Sequence, residues 1–365
     1  MNKIFVAMSL AMVGLYLGGC GDYPVYQLSA ASLDPIQDEQ QRIDVAAQYS
    51  LEHDHAALII YKDGQTVHET YAAGAGPSVS HAIFSGSKSF SCAMAVQART
   101  DGIISSFDEV VSDTIIEWKI DSRKAGITIR QLLNFTSGIS QDFAGFLLYP
   151  GNKHLYALWL PAIYNPGETF QYGEVHITIF AELMRRKLLA ATGETPLAYL
   201  KRRVFDPIQL SYSSWVVDAA GNAMLSFGAL LTAREWLKYG KLLKDNGEWN
   251  SVSVLNSALL SECFTGSPVM PAYGMSMWLN SPIEGDFRSL ILLAGGRPTF
   301  ELGTEKGLLY GDGPSDLVAL AGFGDNRLYF SNSRNLVVVR LGRGNLFSNW
   351  KDASFLGRLL DGVRL

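Results

Sequence analysis

The sharpest chemical pattern in the sequence is a serine and a lysine three residues apart, in Phe84-Ser85-Gly86-Ser87-Lys88. Residues three apart on a helix share one face, so the amine can reach the hydroxyl. A serine in a first helical turn also meets unpaired N–H groups and the positive end of the helix dipole. An amine one turn later can take or relay the serine proton, which makes the two a candidate nucleophile and base. The spacing alone is weak support, so the surrounding sequence must decide.

That surrounding sequence resembles the serine β-lactamase and penicillin-binding-protein superfamily, and within it the class C β-lactamase-like serine hydrolases and esterases. The resemblance spans about residues 50 to 365 and keeps the family's order and approximate spacing. Its blocks are His81 to Lys88, Asp101-Gly102 with Asp108-Glu109-Val110, Ile127 to Gly138, Pro166 to Tyr172, and Asp206-Pro207-Ile208. An ordered set of blocks is far more specific than Ser-x-x-Lys.

The resemblance implies roles for three side chains. Ser85 would accept the acyl group, Lys88 would be its amine partner, and Tyr172 would shuttle a proton. The reaction would be acyl transfer to serine followed by hydrolysis. A tyrosine acts as a base near neutrality only if nearby cations favour its phenolate, and Lys88 is the candidate cation. The alternative for Tyr172 is a plain core aromatic residue.

The second motif departs from the family's usual Tyr-x-Asn, because Tyr172-Gly173-Glu174 carries a carboxylate in place of the amide. Two interpretations of this candidate substrate-binding position stay open. In the first, Glu174 pairs with Lys88, holds it charged and so helps Tyr172 to ionise. In the second, Glu174 faces solvent as an acid at a helix N-terminus.

The third motif departs further. The family has Lys or His, then Ser or Thr, then Gly, on a strand edge beside the serine, and these substrate-binding positions match Phe323, Gly324 and Asp325 here. The missing cation would grip the carboxylate of penicillins and D-alanyl peptides. An apolar residue in its place is similar to the esterase and 6-aminohexanoate-oligomer hydrolase branch, which favours ester or amide hydrolysis.

On this alignment the resemblance implies that the oxyanion hole would consist of the backbone N–H groups of Ser85 and Asn326. A carboxylate at Asp325 beside a developing oxyanion would be unhelpful. Either its side chain points away, the register is off by one, or the chain has lost catalysis. Arg327 could replace the missing cation as a carboxylate anchor; its alternative is a solvated strand residue.

The elements that position these residues follow from turn and capping signals. Asp63-Gly64 between two β-prone runs predicts a hairpin, from Ala56 to Tyr61 and from Thr66 to Tyr71. Further strands are predicted at Leu317 to Ala321, Arg327 to Ser331 and Asn335 to Leu341, before a last helix from about Trp350 to Val363. Helix start signals at Thr128, Thr195 and Thr232 predict a helical region over about 128–246.

Strands at both ends with helices between them predict an α/β (α+β) protein. Its antiparallel sheet would be built from both chain ends and flanked by helices, with an all-helical subdomain inserted in the middle. The resemblance implies the β-lactamase/transpeptidase-like fold for this arrangement.

The head of the chain predicts export. Lys3 precedes an uncharged run from Ile4 to Gly21, and Leu17-Gly18-Gly19-Cys20 resembles the lipobox of bacterial lipoproteins. We therefore expect a lipoprotein signal peptide at 1–19, lipidation of Cys20, a polar tether at 20–45 and the hydrolase domain at 46–365. The alternative is an uncleaved membrane anchor. Either way the body lies outside the cytoplasm, in the cell envelope, anchored to the inner or outer membrane.

Composition excludes several classes of protein. With 48% hydrophobic and 18% charged residues in 365, the chain is not mainly disordered, and a net charge of −5 gives no basic excess for nucleic acid. The expected partners are a small ester, amide or peptide substrate and, through the lipid anchor, a membrane. No metal or organic cofactor is needed. Cys92 lies in an apolar pattern typical of a buried free thiol, and a disulfide with Cys263 is the alternative.

These observations predict a serine hydrolase that forms an acyl-enzyme on Ser85, an esterase or amidase of the β-lactamase-related family. Two alternatives stay open: a β-lactamase or DD-peptidase with a degenerate third motif, and a non-catalytic binding protein of the same fold.

Overall fold

The computed structural model describes residues 35–283, 309–344 and 349–363, so the predicted signal peptide and Cys20 lie outside the described residues. A six-stranded antiparallel sheet in the order β2-β1-β11-β10-β9-β8 forms the centre. Its strands are β1 (His55–Lys62), β2 (Gln65–Tyr71), β8 (Trp278–Leu279), β9 (Val318–Gly322), β10 (Asn326–Ser331) and β11 (Leu336–Gly342).

The predicted strands at the two chain ends are confirmed, and they meet in this sheet. Asp63 and Gly64, between β1 and β2, both have positive φ, at 49° and 88°. A tight hairpin turn of type I′ requires positive φ at both central residues, which Asp-Gly supplies at low cost. β1 from the N-terminal end then pairs with β11 from the C-terminal end. The sheet is thereby built from both ends of the chain.

Helices cover both faces of the sheet. The pair α1 (Glu39–Glu52) and α10 (Asp352–Asp361) packs on the face to which Tyr329 points, since the Tyr329 ring stacks on Phe355. On the opposite face lies α8 (Ala233–Lys244), where Gly240 approaches Leu328 and Val337 closely. Neighbouring residues of one strand point to opposite faces of the sheet, so Leu328 packs toward α8 and Tyr329 packs toward α10.

The start of α1 corrects the predicted domain boundary. The helix begins at Glu39, and the Asp38 side chain caps it by accepting a hydrogen bond from the Gln41 N–H at 2.8 Å. Ile43 and Ala46 are buried in the core. The folded unit therefore includes residues assigned to a polar tether up to 45.

Between the sheet-forming ends lies a mostly helical stretch. Its helices are α2 (Phe90–Thr100), α3 (Ile129–Leu133), α4 (Phe143–Leu148), α5 (Lys153–Trp159), α6 (Val175–Ala191), α7 (Pro196–Leu200) and, after α8, α9 (Ser257–Glu262). The helix starts predicted at Thr128, Thr195 and Thr232 are confirmed, because each threonine side chain caps the helix that follows.

The inserted region is not purely helical. It contains a small three-stranded sheet in the order β3 (His81–Ala82), β5 (Ala229–Leu231) and β4 (Ser214–Trp215). It also contains a two-stranded sheet, in which β6 (Glu248–Trp249) pairs with β7 (Val252–Ser253). α8 also packs on the central sheet. The expectation of an all-helical subdomain over 128–246 is therefore too broad, because this range contains short strands and its last helix, α8, packs on the central sheet.

Cys92 and Cys263 form a disulfide with Cα atoms 6.3 Å apart, and both residues are fully buried. The apolar pattern around Cys92 correctly indicated burial, but the expectation of a free thiol was wrong. The second cysteine lies at the end of α9, whose packing against α2 could not be read from the local pattern. Within the described ranges, no helix combines the length and apolar character needed to cross a bilayer.

Candidate active site

Ser85 lies in a 3-10 turn, Phe84–Ser89, that leads directly into α2. Ser87 Oγ accepts a hydrogen bond from the Ala229 N–H at 3.1 Å, which ties the turn to β5. A side chain at Gly86 would bring its Cβ to 2.6 Å from the Trp236 ring, so only glycine lets α8 pack this closely. These contacts fix the turn while leaving Ser85 partly exposed.

Lys88 is the centre of the polar contacts at this turn. Its Nζ donates to Ser85 Oγ at 2.9 Å, to the Ser226 carbonyl at 3.0 Å, and to both carboxylate oxygens of Glu174 at 2.9 and 2.8 Å. The lysine is 1% exposed. A buried ammonium group is tolerated when it is paired and fully hydrogen-bonded, and this one has acceptors for all three protons. The predicted contact between Lys88 and Ser85 is present.

Glu174 is the residue before α6, where the positive end of the helix dipole favours a negative charge. It is 7% exposed and forms an ion pair with Lys88 at 2.8 Å. The predicted pairing of these two residues is confirmed, and the alternative of a solvent-facing acid was wrong. The carboxylate lies inside the protein because Lys88 is there to meet it.

Tyr172 meets the same serine, since its hydroxyl shares a hydrogen bond with the Ser85 side chain. Burial raises the pKa of Tyr172 above its ordinary value, the charge of Lys88 acts to lower it, and Glu174 acts to raise it. The net direction is upward, so the tyrosine is protonated at neutral pH. The hypothesis that Glu174 helps Tyr172 to ionise has the wrong sign, because the carboxylate opposes a second negative charge.

An aromatic cluster holds Tyr172 in place. Its ring stacks on Trp278 at 5.4 Å, and Phe135 and Tyr273 pack against it at 5.4 and 6.0 Å. Lys88 Nζ lies 5.2 Å from the centre of the Tyr172 ring, within cation–π range. Tyr172 is thus both a packed aromatic residue and a neighbour of the nucleophile.

A buried histidine fixes the backbone just before Tyr172. His176 Nε2 lies 3.0 Å from the Gln171 carbonyl, and its Nδ1 lies 2.9 Å from Ser137 Oγ. A carbonyl only accepts, so Nε2 carries the proton and Nδ1 accepts from Ser137. Burial lowers the pKa of His176 to about 3, which keeps the ring neutral.

Sequence reasoning missed several supports of the site. The Ser226 carbonyl is a backbone group and leaves no signal in residue type. Phe135 lay within a block that carried the resemblance, and its φ of +63° marks a tight backbone turn. Tyr273 and Trp278 are far away in sequence and gave no local sign of their place beside Tyr172.

The third-motif residues lie elsewhere than predicted. β9 ends at Gly322, and Phe323, Gly324 and Asp325 form the turn that joins it to β10. A Cβ on Gly322 would lie 2.0 Å from the Ile83 carbonyl, so Gly322 is where the strand touches the Ser85 segment. The register that placed residues 323–325 on this strand was therefore wrong, because the strand stops before them.

Asn326 does not fit the predicted oxyanion hole. In an antiparallel sheet, the N–H and C=O groups of one residue point to one side of the strand and those of the next residue point to the other side. The Leu317 carbonyl accepts from the Asn280 N–H at 3.0 Å, on the β8 side. Gly322 is five residues later, so its N–H and C=O point to the opposite side, toward β10. Asn326 is paired opposite Gly322, and its own N–H faces back into this ladder. The prediction for Asn326 was wrong, and its side chain instead holds the Phe323 carbonyl at 2.7 Å.

Arg327 is neither a solvated residue nor a free anchor. It is fully buried and forms an ion pair with Asp352 of α10 at 2.8 Å. It also donates to the Gly322 carbonyl at 3.2 Å. The Asp325 carboxylate lies 4.0 Å from this guanidinium, which agrees with the expectation that it is turned away from a developing oxyanion.

The described residues hold no cluster of three or more His, Cys, Asp or Glu side chains arranged for a metal ion. What the site does contain is a partly exposed hydroxyl in contact with a buried ammonium group and a protonated phenol. A serine so placed at the junction of an antiparallel sheet and a helical region puts the chain in the class of proteins with the β-lactamase/transpeptidase-like fold.

Comparison with known proteins agrees with this class. The Beta-lactamase family model matches residues 43–344, so the chain belongs to the Beta-lactamase family. The domain that matches is generally a hydrolase domain. No curated protein matches the chain.

Solved structures share the fold at low sequence identity. A protein described as a 6-aminohexanoate-dimer hydrolase from Bacillus anthracis is 17% identical, with a TM-score of 0.65 over 86% of this chain and 79% of that one. A penicillin-binding-protein homologue from Caulobacter crescentus is 15% identical, with a TM-score of 0.64 over 90% of this chain and 99% of that one. EstCE1, a hydrolase with promiscuous acyltransferase activity, is 12% identical, with a TM-score of 0.59 over 87% and 97%.

Proposed function

We propose that this protein hydrolyses esters or amides through an acyl-enzyme on Ser85. The observation that carries the proposal is the contact of one partly exposed hydroxyl with both Lys88 and Tyr172. A serine becomes a useful nucleophile when an adjacent group takes its proton, and such groups lie within hydrogen-bond reach. The names of the similar structures, which include hydrolases, support the same reaction class.

The contacts suggest a route for the proton. As Ser85 Oγ bonds to the substrate carbonyl carbon, its proton passes to Lys88 while Lys88 passes one of its own to Glu174, 2.8 Å away. The protonated Tyr172 then donates to the departing alcohol or amine. Lys88 reprotonates Tyr172 and recovers its proton from Glu174. The net change moves the serine proton to the leaving group, and water reverses these steps to release the acid.

In this route Glu174 accepts a proton from Lys88. The asparagine that the family usually has at this position could not accept it. The backbone N–H of Ser85 is the proposed oxyanion donor. A second donor is proposed on the edge of β9 that faces away from β10, because the peptide group of Ala321 points to that side.

Covalent labelling tests the function. The purified protein is exposed to a fluorophosphonate probe and, separately, to a fluorescent penicillin, with Ser85→Ala as the control. We expect the fluorophosphonate to label the protein and the control to stay unlabelled. Labelling by penicillin as well would favour a β-lactamase or DD-peptidase. Labelling by neither reagent would contradict catalysis and favour a binding protein of the same fold.

We also propose that the protein is a lipoprotein of the bacterial cell envelope, anchored to a membrane through Cys20. The support is the order of a positive start, an apolar run and Leu17-Gly18-Gly19-Cys20 in the sequence. Feeding expressing bacteria an alkyne-tagged fatty acid should label the protein. Label that is absent, or that persists in Cys20→Ser, would contradict the anchor.

A further inference from the structure

Two phenylalanines stand beside the nucleophile. Phe84 precedes Ser85, and Phe323 follows Gly322, the strand residue that touches the Ser85 segment. Their rings meet edge to face with centroids 5.6 Å apart, and both side chains are partly exposed. The pair therefore presents a partly exposed apolar surface at the residue that directly precedes Ser85.

The backbone at Phe84 is held in an unfavourable conformation. Its φ is +47°, in the left-handed region that bulky residues rarely adopt. Strain of this kind persists only where surrounding contacts impose it, and it clusters at functional sites. Here the contacts are the Phe323 ring on one side and the tight packing of Gly86 on Trp236 on the other.

Three buried cations near this surface are committed to partners within the fold, and the exposed Arg343, next to Gly344 at the Gly324 turn, donates to the Ala73 carbonyl at 2.6 Å. Among the described residues, Lys88 is paired with Glu174 and Arg327 with Asp352, and each is 1% exposed or less. Arg340, also fully buried, donates to the Asp325 carbonyl at 2.6 Å. A carboxylate on an acyl group that lies on this surface would therefore meet the two aromatic rings.

From this arrangement we infer that Phe84 and Phe323 form the acyl-binding surface and that the enzyme selects uncharged aliphatic or aromatic acyl groups over acyl groups that end in a carboxylate. This inference rests on the proposed function and names its substrate class. An aliphatic chain gains by leaving water for the rings, whereas a buried carboxylate without a cation is penalised.

A matched pair of esters tests the selection. 4-Nitrophenyl valerate and the 4-nitrophenyl monoester of glutaric acid share the leaving group and differ mainly in a terminal carboxylate. We expect kcat/KM to be at least about tenfold higher for the neutral ester, the scale on which one apolar group is discriminated in a pocket. Equal values, or a preference for the acidic ester, would overturn the inference.

Variants locate the selection at the ring pair. Phe323→Ala should lower kcat/KM for valerate by about tenfold and change the acetate ester less, since acetate is too short to use the surface. Phe323→Lys should reverse or erase the preference by supplying a cation. The control is Phe264→Ala, which removes a partly exposed ring from a similar edge-to-face pair with Phe330, at 5.7 Å, and should leave the preference unchanged.

The outcomes separate the two proposals. A protein that hydrolyses no ester and binds no fluorophosphonate refutes the proposed function and this inference with it. A protein that hydrolyses esters through Ser85 but whose preference is unaffected by Phe323 substitutions refutes only the inference.

Discussion

Two buried ion pairs stand on either side of β9 and β10, and they differ in what surrounds them. Lys88–Glu174 and Arg327–Asp352 each join a cation and a carboxylate at 2.8 Å, and each has a tyrosine beside it, Tyr172 or Tyr329. The first pair touches a partly exposed serine, whereas the second is enclosed between the sheet and α10.

The comparison shows that a buried ion pair does not by itself mark a catalytic site. Burial raises the pKa of both tyrosines, so that shift does not separate them either. What separates them is the hydroxyl of Ser85, which connects Lys88 and Tyr172 to a surface that substrate can reach. Arg327 instead organises the backbone at Gly322.

The largest effect is expected from Lys88→Met, which keeps most of the length of the side chain and removes its charge. We expect kcat/KM for a neutral ester to fall by about 10³-fold, in the range for loss of a general base. The control is Lys153→Met, because Lys153 is also buried but bonds carbonyls of α4, such as Phe146. Rates that fall equally in both variants would refute a specific role for Lys88.

Glu174→Gln should have the next largest effect. The amide keeps the shape but cannot hold the relayed proton, so we expect kcat/KM to fall by about 10²-fold. Removing the carboxylate should also lower the pKa of Tyr172, since Glu174 acts to raise it. Ultraviolet titration, taken as the difference from a matching Tyr172→Phe variant, measures that pKa. Unchanged activity and an unchanged pH profile would exclude Glu174 from the reaction; Glu182→Gln, also buried, is the control.

Arg327→Met should separate stability from rate. It leaves Asp352 buried without its partner, and breaking such a pair typically costs about 3–5 kcal/mol of unfolding free energy. We expect kcat/KM of the folded protein to change by about tenfold or less, through Gly322, because the arginine does not touch the reacting atoms. Urea unfolding and kinetics of the same samples give both quantities. A small loss of stability together with a large loss of rate would show that Arg327 acts in the reaction and not mainly in holding the fold.

Tyr329→Phe should have the smallest effect on rate. Its hydroxyl donates to Asp352, away from Ser85, so the substitution should cost about 1 kcal/mol of stability, as for one hydrogen bond. The rate should stay within about twofold, a change of less than half a kcal/mol in activation free energy. A rate loss as large as that of Tyr172→Phe would break the distinction between the two tyrosines.

Much of the fold could be predicted because its signals are local. The Asp63-Gly64 turn, the apolar runs of β9 to β11 and the threonine caps each depend on a few neighbouring residues. The contact of Ser85 with Lys88 was also predicted, from their spacing, and the pairing of Glu174 with Lys88 was one of the two interpretations left open.

The errors have a different origin. The position of the Phe323 turn depends on where β9 stops, and the direction of the Asn326 N–H depends on the pairing of strands. The sign of the effect of Glu174 on Tyr172 depends on which charges face a buried phenol. Each is a property of tertiary packing, which residue types alone do not encode.

The disulfide has a topological consequence. Cys92 and Cys263 are 171 positions apart, and the loop that they close contains both Tyr172 and Glu174. Ser85 lies outside the loop, seven residues before it, in the 3-10 turn that leads into the helix bearing Cys92. A protease that cuts once between Cys92 and Tyr172 therefore leaves one covalent molecule, in which Ser85 and Lys88 stay tethered to Tyr172 and Glu174 until a reductant separates them.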